Sequence, residues 1–243
     1  CGTHRRRHSA YLAEEGISFF MDTKLFFRAL GKFAAGVLLT ALLLFLPAGT
    51  LKYPNGWLFC ALLFFPMLIL GVFLLRKSPC LLAKRLDAKE TAASQKGVVG
   101  ISALLFVAGF ILAGLDFRFG WSAVPSSVVF SASVLFLAAY GLYAEVMREN
   151  AYLSRTVTVQ EGQKVIDSGL YGIVRHPMYA ATILLFLMIP VILGSWYAFF
   201  VFLLYPAVII LRIRHEEAIL ESRLAGYAEY KSRVKYRLLP FVW

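Results

Sequence analysis

The residues of this chain that could do chemistry stand in two polar clusters, each next to a long apolar run. The first is Arg175-His-Pro-Met-Tyr179, directly ahead of one such run. The guanidinium of Arg175 offers a fixed fork of donors for a carboxylate, and His176 offers a titratable ring. Because charged groups are costly at a membrane boundary, the pair predicts a functional site.

The second cluster, Arg212-Ile-Arg-His-Glu-Glu217, comes just after the next apolar run. The two runs, about 179–193 and 196–211, are separated by Gly194-Ser195, and the first is shorter than a full membrane span. They therefore predict a tight hairpin. Such a hairpin would bring both clusters to one end, as a single site at the membrane surface.

Composition favours a membrane protein. The 243 residues are 60% hydrophobic with a mean hydropathy of +0.71, whereas a soluble domain is usually about 45–50% apolar. The fold class expected is all-α, a polytopic membrane helical bundle whose last two segments form the short hairpin, with a cytoplasmic loop and tail. The six apolar segments lie at about 30–48, 56–75, 98–115, 124–144, 179–193 and 196–211.

The net charge of +11 is distributed in the way that a membrane protein requires. With six segments, all 25 Lys and Arg residues except Lys52 and Arg118 fall on the side of the two termini. The positive-inside rule then places both termini and the site in the cytoplasm, at a cell membrane or the endoplasmic reticulum. A partner nucleic acid is not expected, because no basic stripe or base-stacking module is evident.

The chain is expected to divide into three parts. Residues 1–20 are taken as a doubtful extension, since the chain starts at Cys1 and Met21 could be a natural start. Residues 21–145 hold transmembrane helices, and 146–243 hold the loop, hairpin and tail of the site. Cysteine spacing gives no Cys-x-x-Cys pair, so neither a disulfide framework nor a metal site is expected.

The polar stretch 145–178 lacks the Gly-x-Gly-x-x-Gly pattern, which argues against a dinucleotide fold of the Rossmann type. Tyr171 and Tyr179 flank Arg-His-Pro. Aromatic faces, backbone polar groups and one carboxylate from the tail would suit a zwitterionic ligand that carries adenine.

Residues 150–243 resemble the catalytic core of the isoprenylcysteine carboxyl methyltransferase family, within a wider group that includes phospholipid methyltransferases. The resemblance is carried by motifs in a fixed order along the chain. They are Val159-Gln160, Val165-Ile-Asp-Ser-Gly-Leu-Tyr171, Val174-Arg-His-Pro-Met-Tyr179, Arg212 with Glu216-Glu217, Gly226-Tyr-Ala-Glu-Tyr230 and the Arg-Leu-Leu-Pro close. Ala181 and Leu170 depart from residues that many members carry, and both changes are small.

The resemblance implies S-adenosylmethionine (SAM) as cofactor, no metal, and a lipid-borne or prenylated acceptor drawn from the membrane. Glu216 would hold the SAM ammonium, and Arg212 would bind the acceptor carboxylate. Arg212 and Arg175 are the expected catalytic cations. The residues expected to contact SAM are Gln160, Gln163, Lys164, Val165, Ile166, Tyr171, His176, Pro177, Met178, Tyr179 and Glu216.

Carboxyl O-methylation is the leading reaction, because a carboxylate is already ionised and nucleophilic at neutral pH. An amine acceptor would need a base, for which His176 or His215 are the candidates. Three alternatives remain open: an aminophospholipid N-methyltransferase, a sterol-type reductase that uses NADPH, and a scaffold without catalysis. Tyr227 and Tyr230 are interpreted as packing residues, and Lys84, Arg85 and Lys89 as contacts to anionic lipid.

Overall fold

A computed structural model shows a bundle of α-helices. It describes residues 3–86, 93–150 and 162–243 together with Tyr152 and Val159; side chains are described from residue 23 on, without those of Lys84 and 93–96. The helices are α1 (Thr3–Ala48), α2 (Pro54–Lys77), α3 (Pro79–Leu86), α4 (Ala93–Phe119), α5 (Ser126–Glu149), α6 (Pro177–Ile192), α7 (Trp196–Phe202), α8 (Tyr205–Arg223) and α9 (Tyr227–Arg233).

Within the described residues, five stretches are long and apolar enough to cross a membrane, and α6 is a shorter apolar helix of 16 residues. The prediction of an all-α polytopic bundle with about six apolar segments is therefore confirmed. The five long stretches are Thr23–Ala48, Pro54–Lys77, Gly97–Phe119, Ser126–Glu149 and Trp196–Arg223.

The last apolar run ends differently from the prediction. The sequence suggested an apolar run that ends near residue 211, whereas α8 continues without a break to Arg223. Helical hydrogen bonding does not require apolar residues, so the polar cluster extends the same helix. Gly226 then adopts φ +82°, and α9 begins at the next residue.

Close contact between α1 and α4 fixes the amino-terminal half. A Cβ atom added at Gly114 would lie 2.6 Å from the carbonyl oxygen of Leu44, so only glycine permits this approach. The buried core then continues through α5, α6 and α7, with Phe59, Phe136 and Phe202 among its members. This packing holds α6 along α5, and α8 beside α4.

A buried carboxylate joins α4 to the turn between α6 and α7, at the end of the hairpin away from the two polar clusters. Asp116 accepts hydrogen bonds from the Ser122 backbone N–H at 2.7 Å, from the Ser122 hydroxyl at 2.6 Å and from the Ser195 hydroxyl at 2.5 Å. Ser195 in turn caps α7 by accepting from the Ala198 N–H. Asp116 thereby sets where the hairpin turns.

We expect Asp116→Ala to lower the stability of the folded protein without changing the contacts of the two polar clusters. Each donor left unpaired costs about 1–3 kcal/mol, which for a chain of this size lowers Tm by roughly 5–10 °C. Thermal unfolding in detergent measures the effect. Ser131→Ala is the control, because the exposed Ser131 hydroxyl bonds only within α5; equal Tm values for the two variants would contradict the role of Asp116.

Candidate functional site

The end of α5 positions the loop that leads into the first cluster. The Glu149 carboxylate accepts from the Leu170 N–H at 3.0 and 3.2 Å, at the start of a 3₁₀ turn over Gly169–Gly172. A Cβ atom at Gly169 would collide with that carboxylate, and Gly169 has φ +53°. The turn places Tyr171 in the protein interior, where its hydroxyl accepts from Asn150 Nδ2 at 3.0 Å.

Glu217 is the centre of the buried polar network. Its Oε1 accepts from Arg175 Nε at 2.8 Å and lies 3.2 Å from His176 Nε2, while its Oε2 accepts from Arg237 Nε at 3.0 Å. Arg175, His176 and Glu217 are all buried. A carboxylate in this position offsets the cost of burying the two basic groups, Arg175 and His176. Their hydrogen bonds in turn offset the cost of burying the carboxylate itself.

The same network attaches the carboxyl-terminal tail. The Arg175 guanidinium donates from Nη1 to the carbonyl oxygens of Val234 and Lys235, at 2.6 and 2.8 Å. The backbone N–H groups of Arg175 and His176 donate to the carbonyls of Tyr236 and Arg237. The tail therefore lies along the Arg-His-Pro motif and is held there by its main chain.

A second chain of contacts links the two clusters directly. Tyr179, on the first turns of α6, donates its hydroxyl proton to Glu216 Oε2 and accepts from Arg212 Nε at 2.8 Å. Both partners belong to α8. The expectation that the hairpin brings the two clusters together at one end is confirmed by these bonds and by the Arg175–Glu217 pair.

A cavity of about 460 Å³ lies between the two clusters, the loop and α4. Most of the site residues that the sequence predicted line this cavity. Those that line it are Gln163, Lys164, Val165, Ile166, Tyr171, Arg175, His176, Met178, Tyr179, Arg212 and Glu216.

Three of the site residues predicted from the sequence are not among the described residues that line the cavity. Pro177 is the first residue of α6 and is buried, but it does not line the cavity. Gln160 lies outside the described residues. His215, named as a candidate base, is also absent from the cavity wall, so only His176 of the two histidines faces it.

One face of α8 lines the cavity with apolar residues at both ends and charged residues between them. Tyr205, Ile209, Arg212, Glu216 and Leu220 are three or four residues apart along the helix and all line the cavity. Four residues advance a helix by about 6 Å. The wall therefore runs from an apolar part through the charged Arg212 and Glu216 to a second apolar part.

Sequence reasoning missed several cavity residues. The amino-terminal half contributes Arg85 of α3, whose guanidinium lies 5.2 Å from the centre of the Tyr143 ring. Arg85 was interpreted as a lipid contact, and no local pattern marks it as a cavity residue. The wall contributed by α4 and further residues at the start of the loop were missed for the same reason: Val99, Ser102, Ala103, Phe106, Asn150 and Tyr152.

The two tyrosines of α9 also line the cavity, although the sequence suggested packing alone. The Tyr230 hydroxyl donates to the Tyr171 carbonyl at 2.8 Å. The Tyr227 hydroxyl is buried and has no hydrogen-bond partner among the described residues. Burial raises the pKa of Tyr227, and the charges of Glu217 and Glu216 raise that pKa further, so its hydroxyl keeps its proton.

Comparison with known proteins supports the resemblance. Residues 129–222 match the model of the isoprenylcysteine carboxyl methyltransferase (ICMT) family. The matched stretch contains most of α5, the loop, the hairpin and nearly all of α8, so it carries both polar clusters. The resemblance derived from the motifs is confirmed there, and the match supports a membrane methyltransferase.

A curated relative has a different activity in its name. The chain is 31% identical over 91 residues to mouse (Mus musculus) Delta(14)-sterol reductase TM7SF2. The aligned part is 36% of this chain and 22% of the relative, so the chain spans under a quarter of that relative's length. The similarity is therefore between one segment of this chain and one segment of the relative.

Replacing Glu217 should collapse the site. In Glu217→Ala, Arg175, His176 and Arg237 lose the carboxylate that they share, and breaking a buried ion pair costs about 3–5 kcal/mol. We expect a Tm lower by more than about 6 °C and faster proteolysis of the tail after residue 233.

The control is Glu221→Ala, four residues along the same helix. Glu221 makes an exposed ion pair with Lys231, and such pairs contribute less than about 1 kcal/mol. If Glu217→Ala were as stable as Glu221→Ala, the buried network would not hold the tail.

Proposed function

We propose that this protein is a SAM-dependent methyltransferase of the membrane surface, and that it methylates the carboxylate of a lipid-borne acceptor of the isoprenylcysteine type. The observation that carries the proposal is the Arg212–Tyr179–Glu216 chain in the wall of the cavity. It offers an anion for the ammonium of the donor and a cation for the carboxylate of the acceptor, within one turn of α8.

The residues of the cavity suit SAM by their chemistry. Glu216 would hold the ammonium group, with its carboxylate oriented by the Tyr179 hydroxyl. Loop residues 163–166 and the aromatic ring of Tyr171 would enclose the adenosyl part. When bound, SAM supplies a sulfonium methyl group that a carboxylate can attack without a base.

Arg212 and Arg175 receive different roles in this proposal. Arg212 lines the cavity beside Tyr179, so its guanidinium can orient an acceptor carboxylate. Arg175 also reaches the cavity, but Nε and Nη1 donate to Glu217 and to the tail carbonyls. We therefore assign Arg175 to positioning of the site, in place of the catalytic role expected from the sequence.

The acceptor would enter from the bilayer. The cavity continues past Arg212 along apolar side chains of α4, α6 and α8, among them Phe106, Phe186 and Ile209. Such a wall suits a hydrocarbon chain, while the polar end suits a donor that arrives from water. The proposed orientation keeps the polar end and both termini on the cytoplasmic side.

A carboxylate acceptor fits the charges better than an amine does. Arg85, Lys164 and Arg212 line the cavity, whereas Glu216 is the one carboxylate among its described lining residues. An ammonium headgroup would be repelled by these cations. His176, the remaining candidate base, lies against Glu217 within the buried network.

A sterol-type reductase that binds NADPH is the second candidate, and it rests on the similarity to the mouse reductase. The Glu216 carboxylate in the cavity wall argues against it. NADPH has no ammonium group, so it lacks the cation that SAM would offer to Glu216.

The reaction is tested with methyl-labelled SAM and a farnesylated cysteine in detergent. The proposal expects labelled product that releases its methyl group as methanol in base, because esters are base-labile. Label that survives base, formed on an aminophospholipid, would instead establish N-methylation. Absence of transfer to either acceptor by a protein that binds SAM would contradict the proposed substrate class.

Glu216→Gln should weaken SAM binding while the protein stays folded. The amide keeps an oxygen to accept from Tyr179 but loses the charge that attracts the ammonium. A charge-assisted hydrogen bond is worth about 1.5–3 kcal/mol, so Kd should rise roughly 10- to 100-fold. Calorimetry measures Kd, and an unchanged Kd would remove Glu216 from the site.

Arg212→Ala should reduce turnover far more than it reduces SAM affinity. Loss of the cation that orients the acceptor carboxylate should lower kcat/KM for the acceptor by roughly 10- to 100-fold. The SAM Kd should change by less than about threefold. Equal losses in both quantities would indicate that Arg212 acts through the fold of the site.

A further inference from the structure

The Tyr227 hydroxyl is a buried polar group that the proposed reaction does not yet use. Tyr227 is 4% exposed and lines the cavity, and its hydroxyl has no partner within the described part of the chain. The neighbouring hydroxyls of Tyr171 and Tyr230 both make hydrogen bonds. Tyr227 is therefore different from the aromatic residues around it.

An unpartnered buried hydroxyl destabilises the protein that carries it. Buried polar groups almost always have a hydrogen-bond partner, and a buried group without one incurs the full free-energy cost of its desolvation. Phenylalanine at position 227 would fill the same space without this cost. The presence of the hydroxyl in the cavity wall therefore points to a partner on the bound ligand.

The surroundings of Tyr227 indicate which part of a ligand it meets. Tyr227 packs in a buried cluster with Leu224 and Tyr230, against which Val165 and Leu220 also pack. All five line the cavity. These apolar and aromatic walls, in which the Tyr230 hydroxyl is already bonded and the Tyr227 hydroxyl is not, suit a flat ring that has polar atoms only at its edge.

The order of residues along α8 separates this region from the charged one. Leu220 follows Glu216 by four residues, which corresponds to about 6 Å along α8, and Leu224 comes directly after the last residue of that helix. A ligand whose ammonium lies at Glu216 would thus extend its other end toward Leu224 and Tyr227. In SAM that other end is adenine, joined to the amino acid through the ribose.

We infer that the Tyr227 hydroxyl hydrogen-bonds the edge of the adenine ring of the bound cofactor. The inference rests on the proposed function, because SAM is the adenosyl compound in question. It assigns Leu220, Leu224 and Val165 to the walls of the adenine pocket. It also gives α9 a direct part in cofactor binding, although the sequence predicted no cofactor-binding residue in that helix.

The test uses five forms of the full chain in detergent: the unchanged protein, Tyr227→Phe, Glu216→Gln, Tyr197→Phe and, for the comparison of Tm, Tyr230→Phe. The ligands are SAM and methylthioadenosine, which keeps the adenosine but lacks the amino-acid end. Tyr197 is an exposed tyrosine of α7 that does not line the cavity, so it controls for the change of residue type. Calorimetry gives Kd, and thermal unfolding without ligand gives Tm.

We expect Tyr227→Phe to weaken both ligands by the same factor, roughly 3- to 10-fold for one neutral hydrogen bond. Glu216→Gln should weaken SAM alone, and Tyr197→Phe neither ligand. The Tm of Tyr227→Phe should equal or exceed that of the unchanged protein, since no internal bond is lost. Tyr230→Phe, which loses a bond to the Tyr171 carbonyl, should have a lower Tm.

Several results would overturn the inference. Unchanged affinity of Tyr227→Phe for both ligands would remove the contact, and a loss for SAM alone would move it to the amino-acid end. A Tm as low as that of Tyr230→Phe would mean that the hydroxyl has a partner inside the protein. If the unchanged protein binds methylthioadenosine through Tyr227 but not SAM, the proposed function fails while the adenine contact stands.

Discussion

The shared carboxylate of Glu217 is the interaction on which the rest of the site depends. Arg175 and His176 are both buried just before α6, and a buried guanidinium requires a counter-charge. Glu217 supplies it from α8, and Arg237 adds a third contact from the tail. One carboxylate thus ties the loop, the hairpin and the tail together.

The position of Glu217 also fixes that of the residues that would do the chemistry. Glu216 is its neighbour on α8, and Arg212 lies one turn earlier. Once Glu217 faces the interior network, helical geometry turns Glu216 and Arg212 toward Tyr179 and the cavity. The buried Arg175–Glu217 pair therefore supports the site, while Arg212 and Glu216 line the cavity. This division explains why two consecutive glutamates have different surroundings.

At the opposite end of the hairpin, Asp116 performs a comparable task. It joins α4 to the turn at Ser195, so the amino-terminal half is aligned with α6 and α8. The alignment matters because α4 contributes the apolar wall that includes Phe106. The part of the chain that carries the two polar clusters consequently depends on helices outside those motifs.

Much of this arrangement is predictable from the sequence, and the limits have physical causes. The apolar segments are long and uniform, so hydropathy finds them, and Arg-His-Pro before α6 marks the site because buried charge is rare. Glu217 was part of a recognised motif, yet nothing local distinguishes it from Glu216. Arg85 and Tyr227 escaped notice because their place in the cavity depends on tertiary packing of α3 and α9, which no short spacing encodes.

The central claim, that the cavity binds SAM, is tested most directly by calorimetry on the purified protein, with NADPH as the comparison ligand. The account predicts that SAM binds with a micromolar Kd and that NADPH produces no heat of binding. Binding of NADPH without binding of SAM would contradict the account and favour a reductase. Absence of binding by both ligands would contradict it as well and favour a membrane scaffold.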